Sequence, residues 1–233
     1  MKPLIGIVGR CGFTDSDEVN NIRIPEKYRI SIIKNGGVPF GIMPPQCVEY
    51  QDSVPSELNK LTDSEKQILM KQLELCDGIL FPGGMKRFEY DIFILNYALE
   101  KNIPILGICL GMQIFSMIDV DGNQVLNLKK IDSDIDHSAY NLPLVHEVVI
   151  SKESKLYSIL KKERFMVNSR HRMMVNNPGT FKVFGKSSDG VVELIERHDK
   201  KFAIGVQWHP EMMVDDESQQ KIFKAFVDAC YKE

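Results

Sequence analysis

The chain has 233 residues, 43% of them hydrophobic, and a formal net charge of −3. That length suits one large α/β domain with a full core, and the near-neutral charge gives no electrostatic reason for nucleic acid or an anionic membrane as a partner. No stretch approaches the roughly 20 apolar residues of a membrane span, the first apolar run is too short for a signal peptide, and the five scattered cysteines lack a Cys-x-x-Cys pair. A disulfide framework and a cysteine-based zinc site are therefore not expected, and a reducing cytoplasm is the expected compartment.

In chain order, Leu4–Val8 reads as a short buried strand. Tyr28–Asn35 reads as a helix stopped by Gly36-Gly37, and Val38–Met43 as a strand closed by Pro44-Pro45. Residues 46–63 are polar and lack periodicity, as a surface excursion does. Ser64–Leu75 has the stripe Ile68, Leu69 and Leu73 of an amphipathic helix, with Asp63 or Ser64 as its cap. Gly78–Phe81 is a strand running into Pro82-Gly83-Gly84. Tyr90–Lys101 is a helix, Ile103–Gly107 a strand, and Met112–Ile118 the helix behind it. Alternation at this pitch predicts βαβ units and a parallel sheet covered on both faces.

After about residue 120 the texture changes. Short strands are expected at Val125–Leu128, Leu144–Ile150, Met166–Asn168, Met173–Val175, Phe181–Gly185, Val191–Ile195 and Phe202–Gln207, separated by turn-forming triplets. They suit antiparallel hairpins appended to a parallel core, and Ser218–Tyr231 is a closing helix. No internal repeat or linker divides the chain, so residues 1–233 read as a single domain.

Cys109 stands between Gly107 and Gly111, after an apolar run and before helix-forming residues. That is the thiol form of the strand–turn–helix nucleophile elbow, in which the glycines remove the clashes that a tight turn would create. A helix N-terminus beneath it favours the thiolate. The strand Phe202–Trp208 delivers His209 to its end. Glu211, two residues on, points the same way if the segment stays extended, so it can orient the ring while the ring serves the thiol. Gly83-Gly84 ends the strand one βα unit earlier, so the amides of Gly84 and Leu110 are expected to form an oxyanion hole, with Gly83 beside the substrate. Arg10, Arg170 and Arg172 are carboxylate-binding candidates that read equally well as solvated edges. Asp132, Asp134, Asp136 and His137 suggest metal ligands. The segment lacks the glycine and matching glutamate of a calcium loop, so it reads as an acidic surface loop, and neither a metal nor a cofactor is expected.

Together these motifs resemble the class I glutamine amidotransferase superfamily. Within it they resemble the free-standing peptidase C26 branch that includes γ-glutamyl-γ-aminobutyrate hydrolases. The resemblance runs through Lys-Pro-Leu-Ile-Gly-Ile, Tyr28 with its helix to Gly-Gly-Val-Pro, and Asp-Gly-Ile-Leu-Phe-Pro-Gly-Gly. It continues through Pro-Ile-Leu-Gly-Ile-Cys-Leu-Gly-Met-Gln, Val-Asn-Ser-x-His and Gly-Val-Gln-Trp-His-Pro-Glu. It implies a flavodoxin-like α/β/α sandwich and a Cys109–His209–Glu211 triad. It also implies a γ-glutamyl thioester, and a glutamyl pocket lined by Gln113, Asn168, Ser169 and His171. Where γ-glutamyl-γ-aminobutyrate hydrolases usually carry arginine after the nucleophile, this chain has Leu110. It has His171-Arg172-Met173 in place of His-His-Gln, and Cys-Leu-Gly-Met-Gln is closer to glutaminase subunits. A small γ-glutamyl substrate is thus expected, with a synthase partner as the alternative and a homodimer left open. A binding module without catalysis is the reading from another class.

Overall fold

The computed structural model describes residues 1–12, 21–45, 60–119, 121–122 and 125–232. Its elements begin with β1 (Leu4–Val8), β2 (Arg10–Gly12), β3 (Asn21–Arg23), α1 (Glu26–Lys34), β4 (Val38–Ile42), α2 (Asp63–Leu73) and β5 (Gly78–Phe81). Then come α3 (Glu89–Glu100), β6 (Ile105–Ile108), α4 (Leu110–Phe115), β7 (Leu128–Lys130), β8 (His146–Ile150), α5 (Lys155–Leu160) and β9 (Arg164–Val167). The chain finishes with β10 (Met173–Val175), β11 (Lys182–Ser187), β12 (Val192–Glu196), β13 (Ala203–Val206), a 3-10 turn (Pro210–Met212) and α6 (Glu217–Ala229).

One nine-stranded sheet in the order β4-β1-β5-β6-β13-β12-β11-β8-β9 organises the molecule. The five strands from β4 to β13 are parallel, and the remaining four are antiparallel extensions. Strand alternation sends Ile5, Ile7, Leu80, Leu106, Ile108, Ile204 and Val206 into a core shared with Ile222, Phe223 and Phe226 of α6. Val8, Ile79, Phe81, Ile105 and Ala203 face the opposite core, with Leu69 of α2, Leu95 of α3 and Ile114 of α4. This is a flavodoxin-like three-layer α/β/α sandwich. The parallel strands end together, and the turns that follow β5, β6 and β13 carry Gly83-Gly84, Cys109 and His209. Among the described residues, no helix is long and apolar enough to cross a membrane.

Several elements depart from the sequence reading. Helix α2 is capped by Thr62, whose Oγ1 accepts from the Glu65 amide at 3.3 Å while Glu65 Oε2 accepts from the Thr62 amide at 2.7 Å. This capping box displaces Asp63 and Ser64 from the role, and Ile68 turns out to solvent. The strand expected at Val125–Leu128 instead forms at Leu128–Lys130 and pairs with β10 in a separate ribbon. Helix α5 was not anticipated. Its first amides, those of Lys155 and Leu156, donate to the buried carboxylate of Glu196 at 2.8 and 2.9 Å, a partner about 40 residues away that local periodicity cannot reveal. Most of the 46–63 excursion lies outside the described residues.

Candidate active site

Cys109 adopts a strained backbone conformation, φ 54° and ψ −105°, between the end of β6 and the start of α4. A side chain held there costs on the order of 1–3 kcal/mol, which the surrounding bonds must offset. Its amide donates to Val206 O at 2.8 Å, and its carbonyl accepts from the Gln113 amide at 3.1 Å. The flanking glycines serve close approach rather than left-handed backbone. A Cβ on Gly107 would sit 2.8 Å from the carbonyl carbon of Gly111, and one on Gly111 would run into the carbonyl of Phe81. The helix therefore presses onto β5 and β6 hard enough that only glycine fits, and the thiol is held above the sheet.

His209 lies beside the thiol. The imidazole interacts electrostatically with the Cys109 thiol and, through Nδ1, pairs with the Glu211 carboxylate Oε1 at 2.6 Å. Glu211 reaches the ring from the 3-10 turn Pro210–Met212, not from the extended segment that the i, i+2 argument assumed. Burial pushes the Cys109 pKa up, but the interaction with His209 outweighs it and holds the thiol below its ordinary value. Burial lowers the His209 pKa, while Glu211 and Cys109 raise it to a net value well above the ordinary one. The two groups thus favour a thiolate–imidazolium pair.

The Gly83-Gly84 loop closes over this pair. A Cβ on Gly83 would lie 2.8 Å from His209 Cε1, 3.0 Å from Tyr28 Oη and 3.6 Å from Cys109 Cβ. A Cβ on Gly84 would meet Leu110 Cδ2 at 3.0 Å, so Gly84 lies against the Leu110 side chain. The Gly83 amide itself donates to Tyr28 Oη at 2.9 Å. Arg10 is buried rather than at a solvated edge: its guanidinium pairs with Asp91 and donates to the Pro82 carbonyl at 3.3 Å, which fixes the start of the loop.

The expected pocket residues are drawn together, but their polar atoms are largely engaged inside the protein. Gln113 Nε2 donates to Met173 O at 3.1 Å and to Gln207 Oε1 at 3.2 Å. Asn168 holds the backbone of His209 from both sides. Ser169 is fully buried against His137 at 3.1 Å, and His171 Nδ1 lies 3.1 Å from Met173 O. Arg170 donates to Tyr140 O at 2.9 Å, and Arg172 is exposed. Asp132, Asp134 and Asp136 are exposed as the surface-loop reading expects, whereas His137 is buried.

Sequence reasoning missed Tyr28 as a site residue. Its hydroxyl takes the Gly83 amide and sits beside Glu211, with burial first and that carboxylate second raising its pKa well above the ordinary value. A polar side chain on the buried face of a helix was the available signal.

A strained cysteine at the head of a parallel sheet, served by a histidine from the neighbouring strand, defines the class I glutamine amidotransferase-like fold. The glutaminase domain of Trypanosoma brucei CTPS with bound acivicin superposes with a TM-score of 0.62 at 20% identity, over 97% of this chain and 94% of that one. A glutamine amidotransferase-like protein of Rickettsia prowazekii is 29% identical over 98% of each chain. CTP synthase of Hydrogenobaculum sp. is 30% identical over 75% of this chain, which spans only 38% of that protein. The chain belongs to the peptidase C26 family, whose pattern matches residues 3–211. It is accordingly an enzyme that hydrolyses C–N bonds.

Proposed function

We propose that the protein is a free-standing, cysteine-dependent hydrolase of γ-glutamyl amides, such as γ-glutamyl-γ-aminobutyrate or a related γ-glutamyl amine. The observation that carries this is the thiol of Cys109 on its strained apex, beside a histidine that Glu211 orients. The thiolate attacks the γ-carbonyl carbon, and the amides of Gly84 and Leu110 take the developing oxyanion. Losing one such donor typically costs about 3 kcal/mol of transition-state stabilisation. His209 passes its proton to the leaving amine, which departs and leaves a γ-glutamyl thioester. His209 then takes a proton from water, hydroxide adds to the thioester, and glutamate leaves as the thiol is regenerated. Gln113, Asn168, Ser169 and His171 shape the wall of the glutamyl pocket. The match to the Rickettsia protein over 98% of each chain supports reading residues 1–233 as one domain, and the composition fits a cytoplasmic enzyme.

A second reading is a glutaminase that feeds ammonia to a partner synthase, and the CTP synthase relatives favour it. Glutamate release from γ-glutamyl-γ-aminobutyrate and from glutamine, by the purified protein alone, separates the two. Turnover of γ-glutamyl amines without a partner supports the first. Glutamine hydrolysis that appears only when a synthase is added overturns it in favour of the second.

A further inference from the structure

Away from the thiol, four buried side chains converge on one point: His137 from the loop before β8, His146 at the start of β8, His171 from the loop after β9, and Glu193 on β12. One donor atom from each lies within 4.8 Å of all the others. Glu193 Oε1 is 3.7 Å from His137 Nδ1, 3.5 Å from His146 Nε2 and 3.6 Å from His171 Nε2, and His137 Nδ1 is 3.3 Å from His171 Nε2. Separations around 3.5 Å are long for hydrogen bonds. They are close to the edge of a tetrahedron with metal–ligand bonds of about 2.05 Å, which is about 3.3 Å.

The ring nitrogens that face outward set the protonation of those that face inward. His137 Nε2 bonds Asp189 Oδ2 at 2.9 Å, His171 Nδ1 bonds Met173 O at 3.1 Å, and His146 Nδ1 bonds Glu147 O at 3.3 Å. Each acceptor demands a proton on the outer nitrogen, so in a neutral ring the inner nitrogen presents a lone pair. Three lone pairs then meet a fully buried carboxylate. Neither Glu193 oxygen, nor His146 Nε2, has a hydrogen-bond partner among the described residues. Ser169 Oγ, 3.1 Å from His137 Nδ1, can donate to one of these lone pairs, and the rest of the set repels itself unless a ring takes a second proton or a cation sits at its centre. Asp189 is itself held by Ser133 and Ser187. A cavity of about 530 Å³, lined in part by Ser133, Asp136, His137, Ser138, His171 and Arg172, gives a route from solvent.

We propose that His137, His146, His171 and Glu193 form a closed, four-ligand site for a divalent transition-metal ion of the zinc type. Three imidazoles and one carboxylate are a donor set that zinc accepts, and four protein ligands mark a structural rather than a catalytic site. The ion ties two strands of the antiparallel half to the segment 168–171, where Asn168 holds His209. Apart from His171, which the proposed glutamyl pocket shares, the metal site stands on different side chains from the thiol chemistry, and it departs from the absence of metal expected from sequence.

The test is elemental analysis of protein purified without a histidine tag, with zinc counted per chain in wild type and variants. About one zinc per chain is expected in wild type and in Cys109→Ser, falling to background in His146→Ala and Glu193→Gln. Asp189→Asn should weaken affinity about 10- to 100-fold. After chelation, cobalt(II) should restore stoichiometric binding with the strong visible bands of tetrahedral coordination. That measurement needs only wild-type protein, so it decides even where a variant fails to fold. Wild type that takes up neither zinc nor cobalt at equimolar concentration would overturn the proposal, as would loss of the metal in Cys109→Ser.

Discussion

Asn168 grips the His209 backbone on both sides of its Cα: its Oδ1 accepts from the His209 amide at 2.8 Å and its Nδ2 donates to the His209 carbonyl at 2.9 Å. The antiparallel extension of the sheet thereby fixes the residue that closes the parallel half. Removing the clamp in Asn168→Ala should lower kcat by about 10- to 100-fold, because a small misplacement of the base is enough. Steady-state kinetics check this, and an unchanged kcat would show that the clamp does not matter.

The electrostatics of the thiol give a pH prediction. A pKa held below the usual 9.0 means that Cys109 is already deprotonated at pH values where a free thiol is not. Its alkylation by iodoacetamide should therefore fall off only at a pH below the ordinary thiol range. In His209→Asn the pull that lowers the pKa is gone and burial remains, so the fall-off should move upward. An identical pH profile in both proteins would contradict the ion-pair description.

The glycines around the nucleophile separate stability from chemistry. Gly111→Ala drives a methyl group into the Phe81 carbonyl and should destabilise the fold by about 3 kcal/mol or more. Gly84→Ala meets the end of the Leu110 side chain at 3.0 Å and Arg10 Cδ at an ordinary 3.4 Å, so its stability should change little while turnover falls. Urea denaturation and turnover assays on both variants check the contrast.

Arg10 and Asp91 are almost wholly buried partners. Asp91→Ala leaves a buried guanidinium without its counter-charge and should cost about 3–5 kcal/mol. Adding Arg10→Met should recover much of that loss. A double-mutant cycle measured by denaturation gives the coupling, and strict additivity would contradict a pair that acts as a unit.

The parallel core and the elbow were legible because both are written in local pattern. Apolar runs at Leu4–Val8, Gly78–Phe81 and Ile103–Gly107 marked the strands, the last of them forming at Ile105–Ile108, and Gly107 and Gly111 marked the apex. What stayed hidden depends on distant partners. Helix α5 rests on Glu196, and the burial of Arg10 rests on Asp91, 81 residues along the chain. His137, His146 and Glu193 share no motif and meet only once the antiparallel strands pair. The partnership of His209 with Glu211 was anticipated, but through an extended segment, and Pro210 folds that segment into a 3-10 turn.

Mass spectrometry of protein quenched during turnover of a γ-glutamyl amide tests the central claim most directly. A γ-glutamyl thioester should appear on the peptide that contains Cys109 and nowhere else, and Cys109→Ala should release no glutamate. Glutamate release that survives this substitution, with no adduct on the wild-type peptide, would contradict the account.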